Sequence, residues 1–218
     1  MKVLLHIPHS SLKVPKKFYK GLLISREEFQ KYNLKMTDVG IDELFKEVKG
    51  YKYKAKYSRL YCDVEKYKDN SKEFMYKYGQ GVIYTKTYDG KDFHINDDKY
   101  KKKVYKYYDK YHYRLDKLAL KLLKKDRKLL IIDCHSYSTE MALYHHSGDF
   151  KDICIGIEKD FYNEEVLKKI IQYIESKGLT YEINSPYIGS LVPNVFFNKK
   201  YNGEVISIMI EVNKRIYL

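Results

Sequence analysis

Four short apolar runs set the limits on what this chain can fold into: residues 3–7 (VLLHI), 129–132 (LLII), 153–157 (ICIGI) and 205–210 (VISIMI). They are rich in β-branched residues and hardly alternate with polar ones, so they read as strands covered on both faces. Residues 51–57 alternate tyrosine or alanine with lysine, as an edge or one-sided strand does, and 81–85 (GVIYT) is a further short candidate. Helical patterns fall between the strands. Ser25 with Glu28 reads as a capping box, and Ile41, Leu44, Phe45 and Val48 form an apolar stripe on a second helix. The longest pattern runs over 96–126, where Tyr100, Val104, Tyr107, Tyr111, Leu115, Leu118 and Leu122 are separated by steps of three and four, with lysines on the other face. A further helix over 163–177 is stopped by Gly178. Strands alternating with helices predict an α/β fold: a single-domain three-layer sandwich over residues 1–218, with a mixed, mostly parallel central sheet and helices on both faces.

Composition narrows the function classes. With 218 residues, 44% of them hydrophobic, and only 4 Pro and 11 Gly, the chain describes neither a disordered tail nor a linker-rich array. Apolar runs stay far short of the roughly 20 residues that a bilayer span needs, and the N-terminus enters a strand-like segment with no signal-peptide pattern, so a soluble, cytoplasmic protein is expected. Cys62, Cys134 and Cys154 are odd in number and flanked by apolar residues, which suits reduced packing cysteines better than a disulfide framework. The net charge of +13 invites a nucleic-acid reading. Against it, Lys and the 25 Tyr are spread over nearly the whole chain and 29 acidic residues are mixed among the bases, so the charge reads as a solvated face.

In α/β sheets ligands bind beyond the carboxyl ends of strands, and three of the runs end in strong chemistry. VLLHI leads into Pro8-His9-Ser10-Ser11, LLII into Asp133-Cys134-His135-Ser136, and VISIMI into Glu211-Val212-Asn213. Two histidines and a glutamate converging on one sheet edge resemble a catalytic zinc site, in which neutral imidazoles bind the metal and a carboxylate takes a proton from water. Each also has a plainer role: a histidine may bond a loop carbonyl, and Glu211 may pair with Lys214 or Arg215. Asp38, ahead of the stripe at 41–48, would be a third, carboxylate ligand or simply a helix cap, and spacing alone favours the cap. Arg59 could clamp a carboxylate or stabilise an oxyanion, or form an ion pair with Asp63. Asn184 and Tyr187, in the turn-rich segment 184–189, would border the substrate or merely turn the chain. His112, mid-helix among tyrosines, is expected to be structural.

PHSS, TDVGIDELF, SRLYCDVEKY, GQGVIYT, IIDCHSYS, NSPYIGSLVP and IMIEVNKRIYL occur in this order, and together they resemble the N-formylglutamate amidohydrolase family over nearly the whole chain. IDCHSYS is also similar to the segment bearing the last zinc histidine of zinc carboxypeptidases. The resemblance implies a zinc-dependent hydrolase acting on the amide of a small, anionic N-acylated amino acid such as N-formylglutamate. His9, Asp38 and His135 would be the zinc ligands, Glu211 the general base and Arg59 a substrate or oxyanion contact. The carboxypeptidase pattern has a glutamate three residues after the first histidine, where this chain has Leu12. Many family members read Asp-x-Asn-Arg where this chain has Asp63-Val64-Glu65-Lys66, and lysine lacks the planar fork with which arginine grips a carboxylate.

Overall fold

The computed structural model describes residues 1–198 and 200–218. The fold is α/β: a six-stranded, mostly parallel mixed sheet with helices, consistent with a three-layer sandwich. The strands are β1 (Lys2–Ile7), β2 (Tyr51–Lys54), β3 (Lys128–Tyr137), β4 (Ile153–Ile157), β5 (Tyr181–Ile183) and β6 (Glu204–Asn213), in the order β2-β1-β3-β6-β4-β5. The helices are α1 (Arg26–Met36), α2 (Ile41–Leu44), α3 (Asp98–Asp126), α4 (Thr139–Ala142) and α5 (Glu164–Ser176). The described residues group into two compact units, Met1–Ile7 with Gly40–Tyr53 and Leu115–Leu218, and Pro8–Val39 with Lys54–Arg114.

The first unit contains the sheet. β1, β3 and β6 run parallel, and β4 pairs antiparallel with β6 and parallel with β5. Side chains alternate across a strand, so even and odd positions face opposite layers. One layer is largely apolar: Leu5, Ile7, Leu130, Cys134, Ile153, Ile155, Ile206, Ile208, Ile210 and Val212 pack with Ile41 and Phe45 at α2 and with Val166, Leu167, Ile170, Ile171 and Ile174 of α5. Burying each such aliphatic side chain stabilises the fold by roughly 1.5–3 kcal/mol. α5 is started by Asn163, whose side chain accepts from the Val166 amide. The alternate positions of the same strands combine apolar residues such as Leu4, Leu129, Ile131 and Met209 with His6, Asp133, His135, Ser207, Glu211 and Asn213, all buried. The chemistry therefore sits on one face of a sheet whose other face is sealed by an apolar layer.

The second unit is held by an aromatic core. Phe18 packs on Phe29 at 5.0 Å and stacks on His94 at 4.4 Å, while Tyr57, Tyr61, Tyr100 and Tyr107 from the loop and the first half of α3 form a second cluster. Ser25 caps α1 by accepting from the Glu28 amide. The reciprocal half of a capping box is replaced, because the Glu28 carboxylate pairs with Lys91. His112 bonds the Val64 carbonyl at 2.7 Å, in keeping with its expected structural role.

Several sequence expectations shift. β3 and β6 do not stop at the apolar runs: their ladder continues from Asp133↔Met209 to Tyr137↔Asn213, so Asp133, His135 and Glu211 lie within strands and not after them. Main-chain pairing continues where side-chain hydrophobicity ends. The stripe at 41–48 yields only one helical turn, with Leu44 and Val48 exposed. Residues 81–85 form a turn with a single bridge, Gln80↔Tyr84, and the tyrosine-lysine strand ends at Lys54.

Candidate active site

His9 follows β1 in the second unit, and the Asp38 amide donates to its carbonyl at 2.9 Å, which aligns the two segments. Its Nε2 lies 2.8 Å from Asp63 Oδ1. That carboxylate holds the imidazole proton on Nε2 and turns the Nδ1 lone pair towards Asp38 Oδ2 at 3.8 Å and Glu65 Oε2 at 3.7 Å. Two ligands about 2.0–2.2 Å from one tetrahedral zinc lie roughly 3.3–3.6 Å apart, so this spacing is close to what a shared cation would impose. An imidazole with a carboxylate behind it and carboxylates in front of it fits a hard or borderline divalent metal. Asp38 does not cap α2, whose N-cap is Gly40 with no side-chain bond.

Asp63 is the centre of this half of the site. Its Oδ2 accepts from Arg59 Nε at 3.2 Å, Arg59 Nη2 at 3.0 Å and Tyr84 Oη at 2.9 Å, and its Oδ1 also accepts from the Glu65 amide at 3.1 Å. Burial would raise its carboxyl pKa, but His9 and Arg59 bring it well below the ordinary carboxylate range. Burial likewise works against the Arg59 guanidinium, and Tyr84, Asp63 and Asp38 hold it firmly charged. Arg59 thus forms the ion pair that was the plainer of its two sequence readings. The pair uses Nε and Nη2 of a side chain that remains partly exposed. Lys66 is drawn to Glu73 at 3.3 Å.

The other half of the sequence-derived set lies in the first unit. His135 and Glu211 are register partners in the β3–β6 ladder. Asp133, two residues before His135 and therefore on the same face, accepts at Oδ1 from His6 Nδ1 at 2.7 Å and from His135 Nε2 at 3.1 Å. His135 thus presents Nε2 to a carboxylate, as His9 does. Burial would raise the Asp133 pKa, but His135 and then His6 depress it well below the usual carboxylate range. Arg215, one of the two expected partners of Glu211, places both Nε and Nη2 on Asp152 Oδ1, at 3.2 and 2.9 Å.

Asn184 has a left-handed backbone, φ 54°, and its Oδ1 accepts from the amides of Ile157 at 2.9 Å and Gly189 at 3.2 Å. These contacts are those of a loop organiser. Tyr187 packs edge-on to Tyr137 at 5.6 Å and to His146 at 5.3 Å. The cysteines behave as packing residues, all buried, with burial pushing the Cys154 thiol up to about 11.

Sequence reasoning missed Glu65, Asp133, His6 and Tyr84. Period-two spacing from His135 would have found Asp133, and Glu65 stands two residues from Asp63 in a motif already singled out. Nothing local marks Tyr84 or His6.

His9 and His135 each have one ring nitrogen within hydrogen-bond distance of a buried carboxylate, an arrangement suited to metal or acid–base chemistry on an α/β fold. The chain belongs to the N-formylglutamate amidohydrolase family, whose model matches residues 1–218, across both compact units. It is similar in fold to the crystal structure of N-formylglutamate amidohydrolase from Ralstonia eutropha JMP134, with a TM-score of 0.80 and 18% identity over 99% of this chain and 83% of that one. A gene product from Agrobacterium tumefaciens is similar with a TM-score of 0.70 and 17% identity over 98% and 81% of the respective chains. At such identities the two structures speak for the fold. No curated protein matches the chain. Among the described residues, no helix is long and apolar enough to cross a membrane.

Proposed function

We propose that this protein is a zinc-dependent amidohydrolase that cleaves a small N-acylated acidic amino acid, of which N-formyl-L-glutamate is the type, to the free amino acid and formate. The observation that carries the reading is the orientation of His9: Asp63 behind Nε2, and Asp38 and Glu65 near Nδ1. His9, Asp38 and His135 are the ligands that the family resemblance implies, and Glu65 joins them as a candidate on its distance from His9.

When bound, zinc polarises the amide carbonyl and lowers the pKa of its water towards about 7. Glu211 would take a proton from the water that attacks the formyl carbon and return it to the amide nitrogen as the C–N bond breaks. Water thus supplies the oxygen of formate and the hydrogen of the free amine. Arg59 keeps donors beyond those bound to Asp63, and these serve the developing oxyanion or a substrate carboxylate. Asn184 and Tyr187 border the substrate through their loop.

One observation favours a second reading. Lys66 stands at the arginine position of the Asp-x-Asn-Arg pattern and is engaged by Glu73, which weakens any grip on a glutamate side chain. Another small amide, a peptide or a cell-wall fragment is the substrate under that reading. The test is metal analysis of the purified protein together with hydrolysis of a panel of N-formyl and N-acetyl amino acids and short peptides. About one zinc per chain and preference for N-formylglutamate support the proposal; zinc with preference for neutral amides supports the second reading. Absence of both stoichiometric metal and hydrolysis overturns each.

A further inference from the structure

Asp133 accepts from a third donor, the backbone amide of Leu191, whose N–H reaches Oδ2 at 2.9 Å. Leu191 belongs to the segment 184–193 that carries Asn184 and Tyr187. We propose that Asp133 is a positioning residue with two tasks: its Oδ1 fixes His135 as the Nε2–H tautomer, so that Nδ1 is the ligating atom, and its Oδ2 sets the height of the 184–193 loop over the same sheet face. The proposal rests on the reading of His135 as a metal ligand.

The loop is anchored to the sheet independently of its tip. Ser207 of β6 donates to the Leu191 carbonyl at 2.6 Å, so in the 2.7 Å contact between the two hydroxyls it is Ser190 that donates to Ser207. Asn184 ties the loop's start to the end of β4 through Ile157. Cys154 Sγ contacts the Tyr187 carbonyl at 3.4 Å. Among these anchors Asp133 is the one that also holds imidazoles. It is 2% exposed, and His6 on β1 braces it from the neighbouring strand, since His6 and Asp133 are register partners. A carboxylate can accept from all three donors at once; an amide in its place keeps one acceptor oxygen and presents an N–H₂ to groups that are themselves donors. The same substitution would therefore loosen a ligand and a substrate-bordering loop together. Outer partners of metal-bound histidine typically govern metal affinity by 10- to 100-fold.

The first measurement uses the unmodified chain stripped of metal: ring-nitrogen NMR of His135, assigned by comparison with His135→Gln. The expected result is an Nε2–H signal and an unprotonated Nδ1. An Nδ1–H tautomer overturns the proposal whatever the protein hydrolyses, so its failure and that of the amidohydrolase reading are separable. The second compares Asp133→Asn with Ser207→Ala by zinc titration and steady-state kinetics on the substrate that the panel selects. Asp133→Asn should weaken zinc about 10- to 100-fold and raise KM in the zinc-saturated enzyme. Ser207→Ala, which removes only a loop anchor, should raise KM with zinc affinity unchanged. Equal zinc affinity in Asp133→Asn and the parent overturns the first task; an unchanged KM in the zinc-saturated variant overturns the second. If Asp133→Asn fails to fold, the tautomer in the parent chain still decides the first task and Ser207→Ala the role of the loop.

Discussion

His135 and Glu211 stand directly opposite one another in the parallel ladder of β3 and β6, on the sheet face that also carries His6 and Asp133. Neighbouring strands are about 4.8 Å apart, so an imidazole and a carboxylate that are 76 positions apart in sequence start from adjacent backbone sites. The opposite face of both strands is filled by aliphatic side chains. Glu211 is therefore presented from a rigid base, which suits a proton-transfer group better than a loop would.

Glu211→Gln keeps shape and removes the base. Hydrolysis of N-formyl or N-acyl amino acids should fall by about 10²–10⁴-fold, while zinc content and thermal stability stay close to those of the parent. Steady-state kinetics beside metal analysis reads this directly, and a parent-like rate would remove Glu211 from the mechanism.

Asp38 and Glu65 flank His9 Nδ1 at nearly equal distance. Asp38→Ala and Glu65→Gln, each dialysed against a chelator and re-titrated with zinc, separate the true carboxylate ligand from its neighbour. The ligand's loss should weaken zinc by at least the tenfold that losing even an outer partner costs. Parent-like affinity in Asp38→Ala would shift the third-ligand assignment to Glu65.

Gly156 of β4 lies against the Gly189 carbonyl and Met209, and a methyl group there would collide with the backbone of the 184–193 loop. Gly156→Ala should cost roughly 1–3 kcal/mol by overpacking and raise KM as the loop lifts. Urea unfolding and kinetics check the two effects separately. A stable variant with unchanged KM would show that the loop does not border the substrate.

Asp152 links three chain segments: its carboxylate accepts from the Thr180 amide at 2.9 Å, the Thr180 hydroxyl at 2.7 Å and the Arg215 guanidinium. The Thr180 backbone and side-chain bonds, and then Arg215, depress its pKa. A depressed carboxylate stabilises the fold fully above its unfolded value, about 3.9, and that contribution is lost as pH falls through the lower folded value. Asp152→Asn should therefore lower stability at pH 7 by about 1 kcal/mol, and the difference from the parent should shrink below pH 4. Thermal unfolding across pH 3–7 is the measurement, and a gap that does not narrow in acid would contradict the linkage.

The alternation of residue types determined much of this protein by itself. Apolar runs at 3–7, 129–132, 153–157 and 205–210 and the three-and-four spacing of the long helix specify strands and helices through local side-chain burial, and the motifs around His9, His135 and Glu211 carry the resemblance to the family before any contact is known. What sequence could not fix is whatever depends on main-chain pairing or on long-range approach. β3 and β6 run past their apolar cores because each continues to bond the other, which puts His135 and Glu211 side by side inside strands. Asp63 reads locally as a partner for Arg59, and only folding brings His9 and Tyr84 to the same carboxylate. Asp133 likewise collects His6, 127 positions away in sequence, and the Leu191 amide. A buried charge is tolerable only where several donors converge on it, and such convergence is a property of the tertiary structure.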